Sequence, residues 1–242
     1  MKKRLIAVTV FASFILWLTS FRENFFFPAT ALTGAWHIQQ GSTEQILIFQ
    51  DGYFSHSVFD KSKKKFFSTY GGVYKMDGKD LKLLIEFDSG SKEYIGKEKK
   101  FSLSFSDKQL VTDISGSQQP WARMDDGKDN LAGVWRITGR MVDGKVNQMQ
   151  RGDRKTLKLL SGTRFQWMAI NPATKEFFGT GGGHYTFTNG KYTEQIEFFS
   201  RDSTRVGASL TFDGTVKDGV WNHSGKSSKG DSLNELWTRE MY

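Results

Sequence analysis

Residues 66–74 read FFSTYGGVY and residues 177–185 read FFGTGGGHY, so the chain repeats itself at a distance of 111 residues. The match runs without a gap from Phe54 to Phe87 and from Phe165 to Phe198. A repeat of this length indicates two similar folded bodies. The identical pairs are Phe54/Phe165, Lys64/Lys175, Phe66/Phe177, Phe67/Phe178, Thr69/Thr180, Gly71/Gly182, Gly72/Gly183, Tyr74/Tyr185, Ile85/Ile196, Glu86/Glu197 and Phe87/Phe198.

Short strands joined by tight turns are indicated throughout both copies. Strand patterns recur about every 10 to 12 residues, a spacing typical of an all-β barrel or sandwich. Asp51-Gly52, Asp77-Gly78, Asn189-Gly190 and Asp213-Gly214 are predicted hairpin turns, because glycine readily adopts the positive φ that such turns require. The predicted strands are 33–40, 44–50, 53–59, 65–75, 80–88, 98–106, 108–115 and 119–125, then 132–140, 153–160, 163–171, 177–188, 191–200, 205–213, 215–223 and 233–240.

The strand pattern predicts an all-β fold of two tandem, small, up-and-down antiparallel β-barrels with about eight strands each. No stretch has a convincing helical period, and consecutive strands are joined as hairpins. Closing each sheet also removes its exposed edges. The predicted divisions are a signal or anchor segment at 1–31, the first barrel at 32–125, a linker at 126–130 and the second barrel at 131–242. The linker is polar and short, so we expect the two barrels to touch.

The N-terminus is typical of an export signal. It begins with the basic residues Lys2, Lys3 and Arg4, and continues with an uncharged apolar run over residues 5–18. Residues 29–31 have the small-x-small pattern of a cleavage site. The apolar run is short for a bilayer span, which needs ~20 residues. We therefore expect an exported protein, periplasmic or secreted; the alternative is an uncleaved N-terminal anchor formed by residues 1–31.

Composition narrows the classes of partner. The chain has no cysteine, which excludes disulfides, and its four histidines lack metal-ligand spacing, so we expect no metal and no cofactor. The net charge of +8 includes basic clusters at 61–65 and 97–100. These clusters are either solvated hairpin loops or a contact with an anionic envelope surface. We expect no nucleic-acid partner, because no aromatic-basic motif is present. The sequence leaves the oligomeric state open.

Each half also carries a characteristic opening and ending. Gly34-Ala35-Trp36 and Gly133-Val134-Trp135 open the halves, and Trp121-Ala122-Arg123 and Trp237-Thr238-Arg239 end them. This combination resembles the lipocalin or calycin superfamily. The second half is also similar to lipocalin-like domains of uncharacterised exported bacterial proteins in four segments, residues 181–185, 192–194, 197–202 and 223–225. The resemblance implies that a last-strand arginine packs across the first-strand tryptophan and closes the barrel. The implied structural pairs are Trp36 with Arg123 and Trp135 with Arg239.

Candidate ligand-binding residues are concentrated in the second half, where Trp167 replaces His56 and His184 replaces Val73. Strict alternation along a strand places Tyr192, Glu194, Ile196 and Phe198 on one face. Along the last strand, Glu235 shares a face with Arg239, which is its expected ionic partner. The predicted ligand-binding set is Trp167, Tyr185, Tyr192, Glu194, Trp221, His223 and Glu235.

These observations predict a non-catalytic binding protein for a small hydrophobic or amphiphilic ligand. One alternative is an envelope module with solid barrels, whose outer surface meets another protein or a glycan. A second alternative is a hydrolase or isomerase in the second barrel, in which His223 works with Glu194 or Glu235 as an acid–base set. No residue is assigned a catalytic role on the first interpretation.

Overall fold

The computed structural model describes residues 29–106 and 108–242, so most of the predicted export segment lies outside the described residues. The described chain is almost entirely β-strand, with three short 3₁₀ turns at Ala29–Ala31, Lys92–Tyr94 and Ser203–Arg205. Within that part of the chain, no helix is both long and apolar enough to cross a membrane. The predicted all-β fold of two tandem antiparallel barrels is confirmed.

The first barrel contains eight consecutive strands, and each strand pairs with the next. β1 pairs with β8 and closes the cylinder, with Trp36 opposite Arg123. Thirteen core residues fill it, among them Trp36, Leu47 and Trp121. The strands are β1 Gly34–Gln40, β2 Thr43–Gln50, β3 Tyr53–Asp60, β4 Lys65–Asp77, β5 Asp80–Asp88, β6 Glu98–Ser106, β7 Gln109–Thr112 and β8 Gln119–Asp125.

The second barrel closes between β9 and β17 and has one strand more than the sequence predicts. The additional strand, β10, forms a hairpin with the far end of β9 through Asp143-Gly144, both of which have positive φ. The strands are β9 Gly133–Val142, β10 Lys145–Gln148, β11 Lys155–Leu160, β12 Arg164–Asn171, β13 Glu176–Thr188, β14 Lys191–Phe199, β15 Ser209–Lys217, β16 Val220–Lys226 and β17 Ser232–Glu240.

The turn predicted at Asp213-Gly214 is wrong, because these residues lie inside β15. Asp213 pairs in register with Lys191, and the turn falls instead at Asp218-Gly219, where both residues have positive φ. A Cβ on Gly214 would lie 3.2 Å from the Trp221 indole nitrogen, so the glycine leaves room for a core ring. Its role here is close packing within a strand.

A β-bulge overturns the predicted sharing of a face by Ile196 and Phe198. Glu197 is the extra residue, opposite the Gly182–Gly183 step of β13, and it changes the side on which the following residues emerge. Phe198 therefore packs against the first barrel, while Phe199 joins the interior of the second.

The two barrels share a hydrophobic interface formed by the outer faces of β1–β5 of the first barrel and of β9 and β11–β14 of the second. Two ring contacts across it are related by the repeat: Phe66 stacks on Phe198 at 6.1 Å, and Phe87 stacks on Phe177 at 6.3 Å. Phe198 is the counterpart of Phe87 in the repeat, and Phe177 is the counterpart of Phe66, so the two contacts are equivalent. The barrels therefore meet through a surface that the repeat duplicates, as the two subunits of a symmetric dimer do.

Polar contacts fix the register of this interface. The Gln166 amide nitrogen donates hydrogen bonds of 3.0 Å to both Thr69 and Thr180, which are equivalent residues of the two barrels. The Asp125 carboxylate, at the end of the first barrel, accepts hydrogen bonds from Ser161, Gly162 and Thr163 of the second. The barrels touch, as the short linker predicts.

Candidate functional site

A cavity of about 560 Å³ occupies the second barrel and opens at the end opposite Trp135 and Arg239. Its size is within the range of ~300–1,000 Å³ that is usual for small-molecule sites. The deeper lining is aromatic and aliphatic, with a few buried charges, and the entrance is basic. The lining residues include Arg136, Arg140, Arg151, Arg154, Lys155, Lys158, Trp167, Glu194, Ile196, Phe199, Leu210, Phe212, His223, Glu235 and Trp237.

The entrance is shaped by a change of partner along β9. This strand pairs with β11 over residues 133–136 and with β10 over residues 139–142. Between β10 and β11 the chain leaves the sheet over residues 149–154 and rejoins it at Lys155. Residues 142–154 are all exposed. Residues on both sides of this division line the cavity, so the missing length of β9–β11 pairing contributes to its opening.

A buried ion pair lies inside the cavity. The Lys158 Nζ is 2.7 Å from the Glu194 Oε1, and both side chains are nearly inaccessible. Opposite charges that are removed from water together are tolerated because each compensates the other. Aromatic rings surround the ammonium at 5.0–5.9 Å from their centroids, which adds cation–π attraction; they belong to Tyr192, Phe212, Trp221 and Trp237.

His223 is the most deeply buried titratable group that faces this space. Its side chain is 2% exposed, and its ring centroid is 4.1 Å from that of Phe212. Among the described residues, neither ring nitrogen has a hydrogen-bond partner. Burial, with the positive charge of Lys158 nearby, lowers the pKa of His223 to about 4. The imidazole is therefore neutral at pH 7, with one nitrogen that donates and one that accepts.

Glu235 pairs with a residue that the sequence analysis missed. Its carboxylate lies 3.3 Å from an Arg140 guanidinium nitrogen, and 3.7 Å from the His223 Nδ1, which is too long for a hydrogen bond. Burial raises the pKa of Glu235, but His223, Lys158 and Arg140 outweigh it and the net shift is downward. The predicted pairing with Arg239 is wrong, because Arg239 lies at the closed end and pairs with Asp51 of the first barrel.

The structure separates the seven predicted ligand-binding residues into two groups. Trp167, Glu194, His223 and Glu235 line the cavity. The other three belong to the packed core beneath it, where the Tyr185 hydroxyl donates to the Ser161 carbonyl at 2.6 Å; this group is Tyr185, Tyr192 and Trp221.

The pairs predicted to close the barrels lie together. The Arg123 Cζ is 4.1 Å from the centroid of Trp36, and the Arg239 Cζ is 5.9 Å from that of Trp135. Both indole nitrogens donate at 2.8 Å to a backbone carbonyl four residues earlier. Each half is therefore joined at its closed end by a guanidinium, an indole and a short N-terminal segment.

The acidic residues of the site are paired with cations. In the part of the chain that the structure describes, no three histidine, aspartate or glutamate side chains form a group that could hold a metal ion. Glu194 is held by Lys158, and Glu235 is held by Arg140.

No protein-family model matches this chain, and the search of curated proteins finds no relative.

Proposed function

We propose that this chain is an exported, lipocalin-like binding protein whose second barrel takes up a small hydrophobic or amphiphilic ligand without chemical conversion. The observation that carries the proposal is the open cavity of about 560 Å³ around His223 and Trp237. Within the described residues, the indole nitrogen of Trp237 and both nitrogens of His223 have no hydrogen-bond partner. An unsatisfied buried polar group costs about 1–3 kcal/mol, so a cavity with several such groups favours a ligand that pairs with them.

The first barrel supports the proposal by contrast. Its interior is a continuous hydrophobic cluster that contains Leu47, Leu81, Leu83 and Trp121. The alternative of a solid barrel that acts only through its outer surface therefore fits the first half better than the second. The likeness to lipocalins is favoured by the two guanidinium–indole pairs, and export is inferred from the N-terminal sequence alone.

The test is ligand retention and probe binding by the purified protein. Native mass spectrometry is expected to show a co-purifying small molecule, and the neutral dye N-phenyl-1-naphthylamine is expected to bind and fluoresce. Leu210→Trp fills the cavity, so it should weaken dye binding by about tenfold or more. Val220→Trp, on the exposed surface of the same barrel, is the matched control and should bind like the wild type. Equal binding by both variants would contradict the proposed site.

A further inference from the structure

The unpaired polar groups that line the cavity include directed hydrogen-bond donors. Among the described residues, the indole nitrogen of Trp237 has no hydrogen-bond partner, and this side chain is almost fully buried. An indole N–H can only donate, and neutral His223 adds one further donor. Groups of this kind are satisfied by oxygen atoms that accept hydrogen bonds. The ligand's polar end should therefore present acceptor oxygens.

The charges that line the cavity point in the same direction. Six of the lining residues are cationic, namely Arg136, Arg140, Arg151, Arg154, Lys155 and Lys158, whereas Glu194 and Glu235 are the anionic ones. Lys158 and Arg140 are paired with these two glutamates. Arg151 and Lys155 are paired with carboxylates outside the cavity, Arg151 with Glu240 and Lys155 with Glu86.

Two arginines keep an uncompensated charge. In the structure's described ranges, no carboxylate pairs with Arg136 or Arg154. Arg136 donates to the Gly152 carbonyl, and Arg154 lies over the Phe178 ring at 4.5 Å. A cleft lined by an excess of one sign of charge raises the local concentration of ligands with the opposite sign. The entrance therefore favours an anion over a neutral molecule or a cation.

We infer that the ligand is an amphiphile with an anionic oxygen head group, a carboxylate or a phosphate, that binds beside Lys158, His223 and Trp237. This inference rests on the proposed function, because it assumes that the same cavity is the binding site. Arg136 and Arg154 supply the uncompensated positive charge, and Lys158, Trp237 and His223 supply hydrogen-bond donors within the cavity. The aliphatic and aromatic lining of Ile196, Phe199 and Leu210 receives the apolar part.

The inference is tested with ten-carbon compounds that differ only in the head group. Displacement of N-phenyl-1-naphthylamine is measured for decanoate, decyl phosphate, decanol and decylamine at pH 7.5, below their aggregation concentrations. One or both anions are expected to bind at least about tenfold more tightly than decanol, and decylamine more weakly than decanol. The comparison of decanoate with decyl phosphate identifies the kind of anion.

Trp237→Phe removes the indole donor and keeps an aromatic ring. It should weaken binding of the preferred anion by about tenfold, because a hydrogen bond to a charged group is lost, while affinity for the neutral dye changes less than about twofold. The matched control is Trp121→Phe, at the corresponding place in the first barrel, where the indole nitrogen is also unpaired among the described residues. That variant should leave both affinities unchanged.

His223 provides a readout that packing alone does not move. A bound anion beside the imidazole should raise its pKa from about 4, as seen by NMR titration of the ring, whereas decanol should leave it unchanged. Equal affinity for all four compounds, or a preference for decylamine, would overturn the inference that the ligand has an anionic head group. In that case, binding of the dye would still support the cavity as the ligand site. If the dye also fails to bind, the proposed function itself falls.

Discussion

The two barrels share a backbone plan but differ in what they enclose. Leu47 of the first barrel stands 111 residues before Lys158, and Leu83 stands 111 residues before Glu194. Both leucines are fully buried in a hydrophobic cluster, whereas the corresponding lysine and glutamate form an ion pair inside a cavity. The same strand positions therefore give a packed interior in one barrel and a polar, open one in the other.

The last two strands show the same contrast through their register. In each barrel the last two strands, β7 and β8 or β16 and β17, place two pairs of residues opposite each other. The inner pair lies close to the closed end, and the outer pair lies two residues farther from it. The inner pair stays apolar or aromatic in both barrels, and the outer pair becomes ionisable in the second. The corresponding pairs are Leu110–Trp121 with Trp221–Trp237, and Thr112–Gln119 with His223–Glu235.

The interface between the barrels retains aromatic residues that the two copies share. Phe66 and Phe177, and likewise Phe87 and Phe198, are identical in the repeat and contact the opposite barrel. Hydrophobic residues of similar volume often stabilise a protein as much as a buried ion pair or more, and the first barrel has leucines at the positions that the ion pair occupies in the second. Stability alone therefore does not explain the polar interior of the second barrel, and the proposed binding role would account for it.

The largest expected effect comes from removing one member of the buried ion pair. Lys158→Met leaves the Glu194 carboxylate buried without its cation and should lower the free energy of unfolding by about 3–5 kcal/mol. Leu47→Met, at the corresponding position of the first barrel, should cost less than about 1.5 kcal/mol. Urea denaturation followed by fluorescence measures both values.

A double variant sharpens this comparison. Lys158→Leu with Glu194→Leu gives the second barrel the residues that the first barrel has, so stability should return to the wild-type value or exceed it by about 1–4 kcal/mol. Binding of the preferred anion should nevertheless be lost. If Lys158→Met costs no more than Leu47→Met, the ion pair is not a buried structural element and the contrast between the interiors fails.

Much of the architecture could be predicted because tight turns have a local chemical signature. Asn189-Gly190 has positive φ at both residues, as its composition predicts. The same signature misled the prediction in β15, where Asp213-Gly214 and Asp218-Gly219 both fit a turn and only tertiary packing around Trp221 distinguishes them. Asp143-Gly144 carried the signal for the β9–β10 hairpin, but the exposed, polar β10 lacks the alternation that identifies a strand.

The site was only partly predictable from the sequence. The alternation of apolar and polar side chains along a strand does not show whether the strand's outer face is covered by a second domain. In β11, Leu157 and Leu159 pack on the first barrel, so both faces of the strand are buried and Lys158 does not stand out as an inward residue. Arg140 was missed because a register shift between β9 and β17 places it beside Glu235. Bulges of this kind depend on the pairing of distant strands.

A smaller effect is expected from the acidic residues that repeat at the interface. Glu86 accepts hydrogen bonds from Tyr53 and Lys155, whereas Glu197 pairs with Arg164, His184 and Lys61. Burial alone raises the pKa of Glu197, but Arg164 and the other partners outweigh it and lower the pKa from 4.5 to about 2.

The pH dependence follows from the sign of this shift. Because the pKa is lower in the folded state, the contribution is complete above about pH 4.5 and is lost as the pH falls towards about 2. Its size is on the order of 3 kcal/mol. Unfolding free energies measured from pH 7 to pH 2.5 should fall less steeply for Glu197→Gln than for the wild type. Parallel curves for the two proteins would show that Glu197 keeps an ordinary pKa.

The smallest expected effect distinguishes the two closures. Arg123 lies nearer to its tryptophan than Arg239 does, at 4.1 Å against 5.9 Å, and also donates to the Thr33 carbonyl at 2.9 Å. Arg123→Met should therefore lower the unfolding free energy by about 1–2 kcal/mol through the loss of cation–π attraction and a hydrogen bond.

Arg239→Met is the matched substitution in the second barrel. Because Arg239 is farther from Trp135 and its ion pair with Asp51 lies at the surface, its loss should cost less than about 1 kcal/mol. Urea denaturation at low and high salt separates the two terms, since only the surface ion pair is strongly screened. A larger loss for Arg239→Met than for Arg123→Met would mean that the contact with Asp51, which joins the barrels, contributes more than the closure of either one.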